Sequence, residues 1–197
     1  MSCKCNDLFE VKQVDKIFYE ERIKDFLPER IIDVHTHIWL DRFKVRDQAA
    51  PVRAVTWPAR VALDNSLEDL VETYRLMFPG KQVTPLMFGN LGLGDDVDVS
   101  NAYVSEASKK SGYPALIFAI PGWSAGEFEE RIIKGGFLGC KVYLTLSEPY
   151  LPEKEIRIFD FLPHHQLEVL NRHGWVAMLH IPRDGRLKDP VNLAQML

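Results

Sequence analysis

Apolar and polar positions along the chain change period repeatedly, from helical spacing to short apolar runs and back. Residues 14 to 27 place Val14, Ile17, Phe18, Ile23, Phe26 and Leu27 in a helical stripe that Pro28 stops. Ile31 to Val34 then read as a buried strand that closes on His35-Thr36-His37. A period of two sets Ile31, Asp33, His35 and His37 on one face and Ile32, Val34, Thr36 and Ile38 on the other. From Trp39 to about Leu63 there is no period, two prolines (Pro51 and Pro58) and mixed charge, which predicts a long loop over the mouth of a site. Ser66 to Asp69 carries a capping-box pattern and opens a helix through Met77, with Leu67, Leu70, Val71 and Tyr74 on its stripe and Pro79-Gly80 at its end.

Val83 to Phe88 reads as a second strand, interrupted by Pro85, and Gly89 to Asp98 as a Gly- and Asp-rich loop. A helix is expected from about Asn101 to Lys110, capped by Gly112, and a third strand over the apolar run Pro114 to Ile120. Ser124 to Glu127 repeats the capping pattern and starts a helix to Lys134, ended by Gly135-Gly136. Phe137 to Leu144 is the fourth strand. Helical spacing returns through Phe159, Phe161, Leu162, Leu167, Val169 and Leu170 and ends at His173-Gly174. Trp175 to His180 is the fifth strand, and another helix is expected from Pro190. Strand and helix alternate throughout, which is the signature of parallel βα units in an α/β fold, either a closed barrel or an open doubly wound sheet.

Composition narrows the partners. With 197 residues, 46% hydrophobic and 26% charged, the chain suits one core of ordinary size. A formal net charge of -4 and the lack of any basic, aromatic patch argue against nucleic acid. No apolar run reaches the length of a membrane span, and the N-terminus, with Lys4, Asp7, Glu10 and Lys12, lacks a signal core, so a cytoplasmic protein is expected. Three cysteines, with Cys140 inside an apolar strand, do not make a disulfide framework, and Cys3-Lys4-Cys5 reads as incidental. The glycines of residues 89 to 98 do not make a phosphate loop. They lack its Lys-Ser/Thr pair, and Asp95 and Asp96 would repel a phosphate.

Candidate chemistry gathers at strand ends. His35 and His37 sit one position apart at the end of the first strand, and Asp33 lies one step behind, placed to orient a ligand or close the strand's polar end. Lys141 interrupts a strand that should be covered on both sides, which is costly unless the amine is paired or used. Alternation groups it with Gly139 and Tyr143, while Leu138, Cys140, Val142 and Leu144 face the helices. His180 closes the fifth strand in the same register as Val176 and Met178. In parallel α/β folds the C-terminal ends of the strands form the binding face, so three histidines and a lysine from three strands point at one volume. His164, His165 and His173 lie on helical positions and read as surface or capping residues.

Asp33-x-His35-x-His37, Gly139-Cys140-Lys141 and Leu179-His180-Ile181-Pro182-Arg183 together resemble the amidohydrolase superfamily, more narrowly the amidohydrolase-related family of metal-dependent hydrolases. The resemblance runs from about Ile31 onward. It implies a (β/α)8 TIM barrel that is incomplete here, with strands 1 to 5 in residues 29–197 behind an N-terminal helical extension of residues 1–28. It also implies Zn2+ or another divalent metal ion held by His35, His37 and His180. Lys141 matches a position that is carbamylated and bridges two metals in some members, and whether it is a metal ligand or a substrate contact stays open. Members also carry a histidine after strand 6 and an aspartate after strand 8, which this chain ends before. The implied chemistry is attack of metal-activated water on a carbonyl-type small-molecule substrate, an amide, ester or lactone. The alternatives are non-oxidative decarboxylation of a carboxylic acid in the same pocket, or a truncated, non-catalytic α/β fragment. Unpaired strand edges make self-association into a homo-oligomer an expectation.

Overall fold

A computed structural model of the chain describes residues 8–44, 62–92, 94–152, 155–180 and Ala194. Five parallel strands alternate with helices, so the α/β class read from the pattern is the class observed. They are β1 (Arg30–His37), β2 (Gln82–Phe88), β3 (Ile117–Phe118), β4 (Gly139–Val142) and β5 (Val176–Leu179). The helices are α1 (Gln13–Phe18), α2 (Leu67–Met77), α3 (Val97–Ser111), α4 (Ala125–Gly135) and α5 (His164–His173). β1 pairs with β2, and β3, β4 and β5 pair in that order. A parallel bridge between Met87 and Ala115 joins the two groups, through Met87 N–H to the Pro114 carbonyl (2.9 Å) and Leu116 N–H to the Met87 carbonyl (2.8 Å). The strands therefore run 1-2-3-4-5 without reversal, whereas doubly wound sheets reverse at a switch point. Among the described residues the sheet is open and no barrel closes.

The two faces of this sheet differ as alternation requires. Cys140, Val142 and Leu144 pack with Phe128 and Ile132 of α4 and Val169 and Leu170 of α5 in the main core. Tyr143, with Phe118 and Leu91, forms a separate, smaller cluster on the other face. Ala115 to Ala119 are all buried, as a strand covered on both sides demands, although only Ile117–Phe118 keep ladder geometry. Beyond the Met87 bridge β2 and β3 part. Asn101 of α3 fills the place of a partner strand, donating to the Phe118 carbonyl and accepting from the Phe118 N–H, both at 2.9 Å. α3 also begins four residues earlier than the expected Asn101, because Asp96 accepts from Val99 N–H and caps it. The box at Ser66 and Asp69 closes as read, with Ser66 Oγ taking the Asp69 N–H and the Asp69 carboxylate taking the Ser66 N–H.

Some expectations change. The stripe of residues 14 to 27 does form helix, α1 followed by a π-helical turn over Tyr19–Ile23, but packing does not consume it. Only Tyr19 is buried, its hydroxyl donating to the Pro79 carbonyl, while Val14, Phe18 and Phe26 remain exposed. Of the outer face read for β1, Thr36 and Ile38 are buried while Ile32 and Val34 are 72% and 59% exposed. β4 is shorter than Phe137 to Leu144, and Leu138 is exposed. The loop expected from Trp39 to Leu63 starts with a short 3-10 turn at Asp41–Phe43, its centre lies outside the described residues, and Trp39 pairs with Asn65 where it returns. The helix read from Pro190 lies outside the described residues except for Ala194.

Candidate active site

β1 does not keep strict alternation to its end. Asp33 pairs with Pro85 but Thr36 pairs with Met87, so three steps along β1 match two along β2 and one residue bulges. Asp33 holds that bulge. Its carboxylate accepts the His35 backbone N–H at 3.1 Å and the Tyr74 hydroxyl at 2.8 Å. The Thr36 hydroxyl lies 3.1 Å from that of Tyr74 and 3.4 Å from the Asp33 carbonyl. Of the two roles open to Asp33 by sequence, closing the strand end is the one these bonds describe. Burial and the neighbouring carboxylate both push the Tyr74 phenol up, so it stays a donor. Tyr74→Phe removes only that hydroxyl from the Asp33 clamp. The expected result is a loss of about 1–2 kcal/mol of stability and a shift of the His35 imidazole resonances, while those of His37 stay in place. NMR of the selectively labelled histidines checks it.

The two histidine rings stand 5.3 Å apart, centroid to centroid, and the Phe88 ring meets both edge-on, at 5.3 Å from His35 and 4.6 Å from His37. His35 is exposed and His37 is largely enclosed. His37 Nδ1 lies 3.0 Å from the Gly89 carbonyl. A carbonyl only accepts, so Nδ1 carries the proton and Nε2 is left with a free lone pair. The Tyr143 hydroxyl, 3.5 Å from the same nitrogen, is too distant to compete. Burial lowers the His37 pKa to about 4, against the Gly89 bond, with the charges of His35, Lys141 and His180 adding to the fall. The ring is neutral at pH 7, the state in which imidazole ligates a metal.

This carries a pH consequence with a definite sign. Unfolded His37 takes up a proton near 6.5 and folded His37 only near 4, so the unfolded state binds more protons between them. Stability falls as pH drops from about 6.5 to about 4, by up to about 3 kcal/mol for this group. Melting curves across that window should show a smaller acid loss for His37→Gln than for the wild type.

Lys141 lies on β4, opposite Phe118 on β3 and Met178 on β5, and is 0% exposed. Its Nζ has no hydrogen-bond partner and sits 5.1 Å from the Phe88 ring centre and 5.0 Å from that of Tyr143. Burial alone lowers its pKa to about 8. His180 follows β5 directly, its N–H reaching the Val142 carbonyl at 3.3 Å, and its ring stacks on Tyr143 at 5.1 Å, which stacks in turn on Phe118. Burial lowers its pKa, as do the charges of Lys141 and His35. The structure thus gathers His35, His37, Lys141 and His180 at the C-terminal end of the strands. As placed, no group of three or more His, Cys, Asp or Glu side chains among the described residues lies close enough together to hold one metal ion.

Phe88, Gly89, Tyr74 and Tyr143 join the site without a sequence assignment. Tyr143 was open to reading, two positions after Lys141 on the same face. The Gly89 carbonyl and the Tyr74 hydroxyl arrive only through the pairing of β1 with β2 and the seating of α2. The other histidines lie elsewhere. His165 is half-buried rather than on the surface and bonds the Trp123 carbonyl at 2.9 Å, His173 bonds Glu129, and His164 stacks on Phe159.

No family model matches the chain, and no curated protein does. Its fold is similar to the crystal structure of a probable 2-pyrone-4,6-dicarboxylic acid hydrolase from Acinetobacter baumannii with citric acid bound. The TM-score is 0.54 at 13% sequence identity, over 84% of this chain and 54% of the other. The chain spans about half the length of that protein. This likeness shows a shared α/β fold. Among the described residues no helix is long and apolar enough to cross a membrane.

Proposed function

We propose that the chain carries the metal-site portion of a hydrolase of the amidohydrolase-related type, with β1 to β5 as the first five strands of a (β/α)8 barrel. The observation that carries the reading is the gathering of His35 and His37 at the end of β1, His180 just past β5 and Lys141 near the end of β4, with His37 held neutral by burial and its Nδ1 fixed on the Gly89 carbonyl. The similar fold of a probable hydrolase supports it.

The donor chemistry fits Zn2+ or a similar divalent ion. His37 offers Nε2 while its Nδ1 is fixed by a backbone carbonyl, the arrangement that orients ligating histidines. His35 and His180 are held toward the neutral form by burial and by the Lys141 charge. His35, His37 and His180 would hold the ion after side-chain rotation, since they are not within ligating distance as placed. When bound, such an ion supplies Lewis acidity toward a carbonyl and a lowered pKa for water.

The chain's own residues do the rest. Phe88 and Tyr143 pack against the histidines and keep bulk water from them, and the Tyr143 phenol, raised by burial, keeps its proton. Lys141 brings a positive charge beside the histidines, where negative charge on a reacting carbonyl oxygen would be stabilised. Hydrolysis of small esters, lactones and amides by the protein in oxygen-18 water tests the reaction. The expected result is label in the carboxyl product, reduced by at least about a hundredfold in His35→Ala and in His180→Ala. Undiminished activity in both variants would end the reading.

A further inference from the structure

We propose that Ser100, in the first turn of α3, is a positioning residue for His37: it seats against Gly89 and so fixes the carbonyl that keeps the proton on His37 Nδ1. Gly89 follows β2, whose last residue is tied to the end of β1 by Ile38 N–H donating to the Phe88 carbonyl at 2.9 Å. One residue further on, the Gly89 carbonyl accepts from His37 Nδ1 at 3.0 Å. The backbone at Gly89 has no positive φ, so its conformation does not call for glycine. The close approach of α3 does. A Cβ at Gly89 would lie 2.8 Å from Ser100 Oγ, nearer than packed atoms come.

Hydrogen bonding does not account for Ser100. The residue is 0% exposed, and among the described residues its Oγ has no partner, which leaves a buried hydroxyl unsatisfied. What the oxygen does is fill the volume that a side chain at position 89 would need. The backbone carrying it is anchored. Asp96 caps α3 through the Val99 N–H, and the Ser100 N–H reaches the Asp96 carbonyl at 3.2 Å. The adjacent Asn101 bonds both the N–H and the carbonyl of Phe118 on β3. α3 is thus pinned to β3 by Asn101 and abuts the end of β2 with Ser100, which sets the place of Gly89 between them. Which ring nitrogen of a histidine carries the proton is decided by the bond the other makes or lacks, so a fixed Gly89 carbonyl leaves Nε2 open. The proposal deepens the hydrolase reading, on which it rests only for Nε2 being a metal ligand. The tautomer itself belongs to the metal-free chain.

The test is the nitrogen-15 spectrum of the histidine-labelled, metal-free full chain at pH 8, with His37→Gln identifying the His37 signals. The wild type should show His37 in the Nδ1–H form. Gly89→Ala should lose that form or mix it with Nε2–H and, on the hydrolase reading, bind Co2+ about tenfold or more weakly. Ser100→Ala removes the obstructing oxygen and should keep the wild-type signals. The double variant Gly89→Ala/Ser100→Ala should recover the Nδ1–H form, a rescue that two independent losses of stability would not produce. An unchanged His37 tautomer in Gly89→Ala, or no recovery in the double variant, would overturn the proposal. If Gly89→Ala alone does not fold, the double variant decides: folded with the Nδ1–H form supports the proposal, and unfolded overturns it. Co2+ titration separates the two claims. The expected tautomers in a wild type that binds no Co2+ remove the hydrolase reading alone, and Co2+ binding with an unmoved tautomer in Gly89→Ala removes the role of Ser100 alone.

Discussion

Replacement of Lys141 by methionine is expected to raise the stability of the protein. Holding the amine at a pKa of about 8 against an ordinary value of 10.5 costs about 3 kcal/mol. The side chain is 0% exposed, and among the described residues its amine has no hydrogen-bond partner and only the weaker attraction of the Phe88 and Tyr143 rings to set against that cost. Methionine keeps the volume and the contacts with Phe88 and Tyr143 and removes the charge. A gain of about 3 kcal/mol in a chain of this size is roughly 5–10 °C in Tm. The pH dependence has a fixed sign. Between about 8 and 10.5 the unfolded lysine is protonated and the folded one is not, so wild-type stability rises with pH there and the advantage of the variant shrinks. Thermal melts of both proteins at pH 7 and pH 10 check this. A variant less stable than the wild type at pH 7 would show that the amine is supported by the fold rather than strained in it.

Gly139→Ala is expected to cost more than about 4 kcal/mol, a loss of the size that follows when backbone cannot yield. Gly139 opens β4 with φ +146°, a conformation that side chains rarely adopt. A Cβ there would sit 2.0 Å from the Val176 carbonyl oxygen and 2.6 Å from the Val176 nitrogen. Both are backbone atoms of β5, paired directly with Gly139. Relief requires β5 to move away from β4, which breaks their ladder and displaces His180, held at its end by the Val142 carbonyl. Chemical denaturation measures the loss. A wild-type midpoint in Gly139→Ala would mean that β5 is not seated against β4 as described.

Much of the frame was legible because each element announced itself with its own period. The Ser66 box and the helix stops at Gly112 and Gly174 needed no tertiary knowledge and stand where the pattern put them, while β3 and β4 lie inside their apolar runs but are shorter than them. The sharing of a face by Lys141 and Tyr143 also followed from a period of two. What was not legible depends on strands meeting. The bulge in β1 arises from its register against β2, so alternation carried through Val34 and His35 cannot show it. The bond from His37 to Gly89 joins residues far apart in sequence. The stripe of α1 is a case of the opposite kind. Val14, Ile17 and Phe18 have a core-facing pattern, yet they stay largely exposed, with Val14 and Phe18 lining a groove against the end of α2.

The claim that His35, His37 and His180 form a metal centre is tested most directly by titrating the metal-stripped full chain with Co2+ and reading the ligand-field absorption bands. The account predicts one ion bound per chain, with bands of a low-symmetry, nitrogen-ligated site that disappear in His37→Ala. Absence of a bound ion in the wild type, or the same spectrum and stoichiometry in His37→Ala, would contradict it.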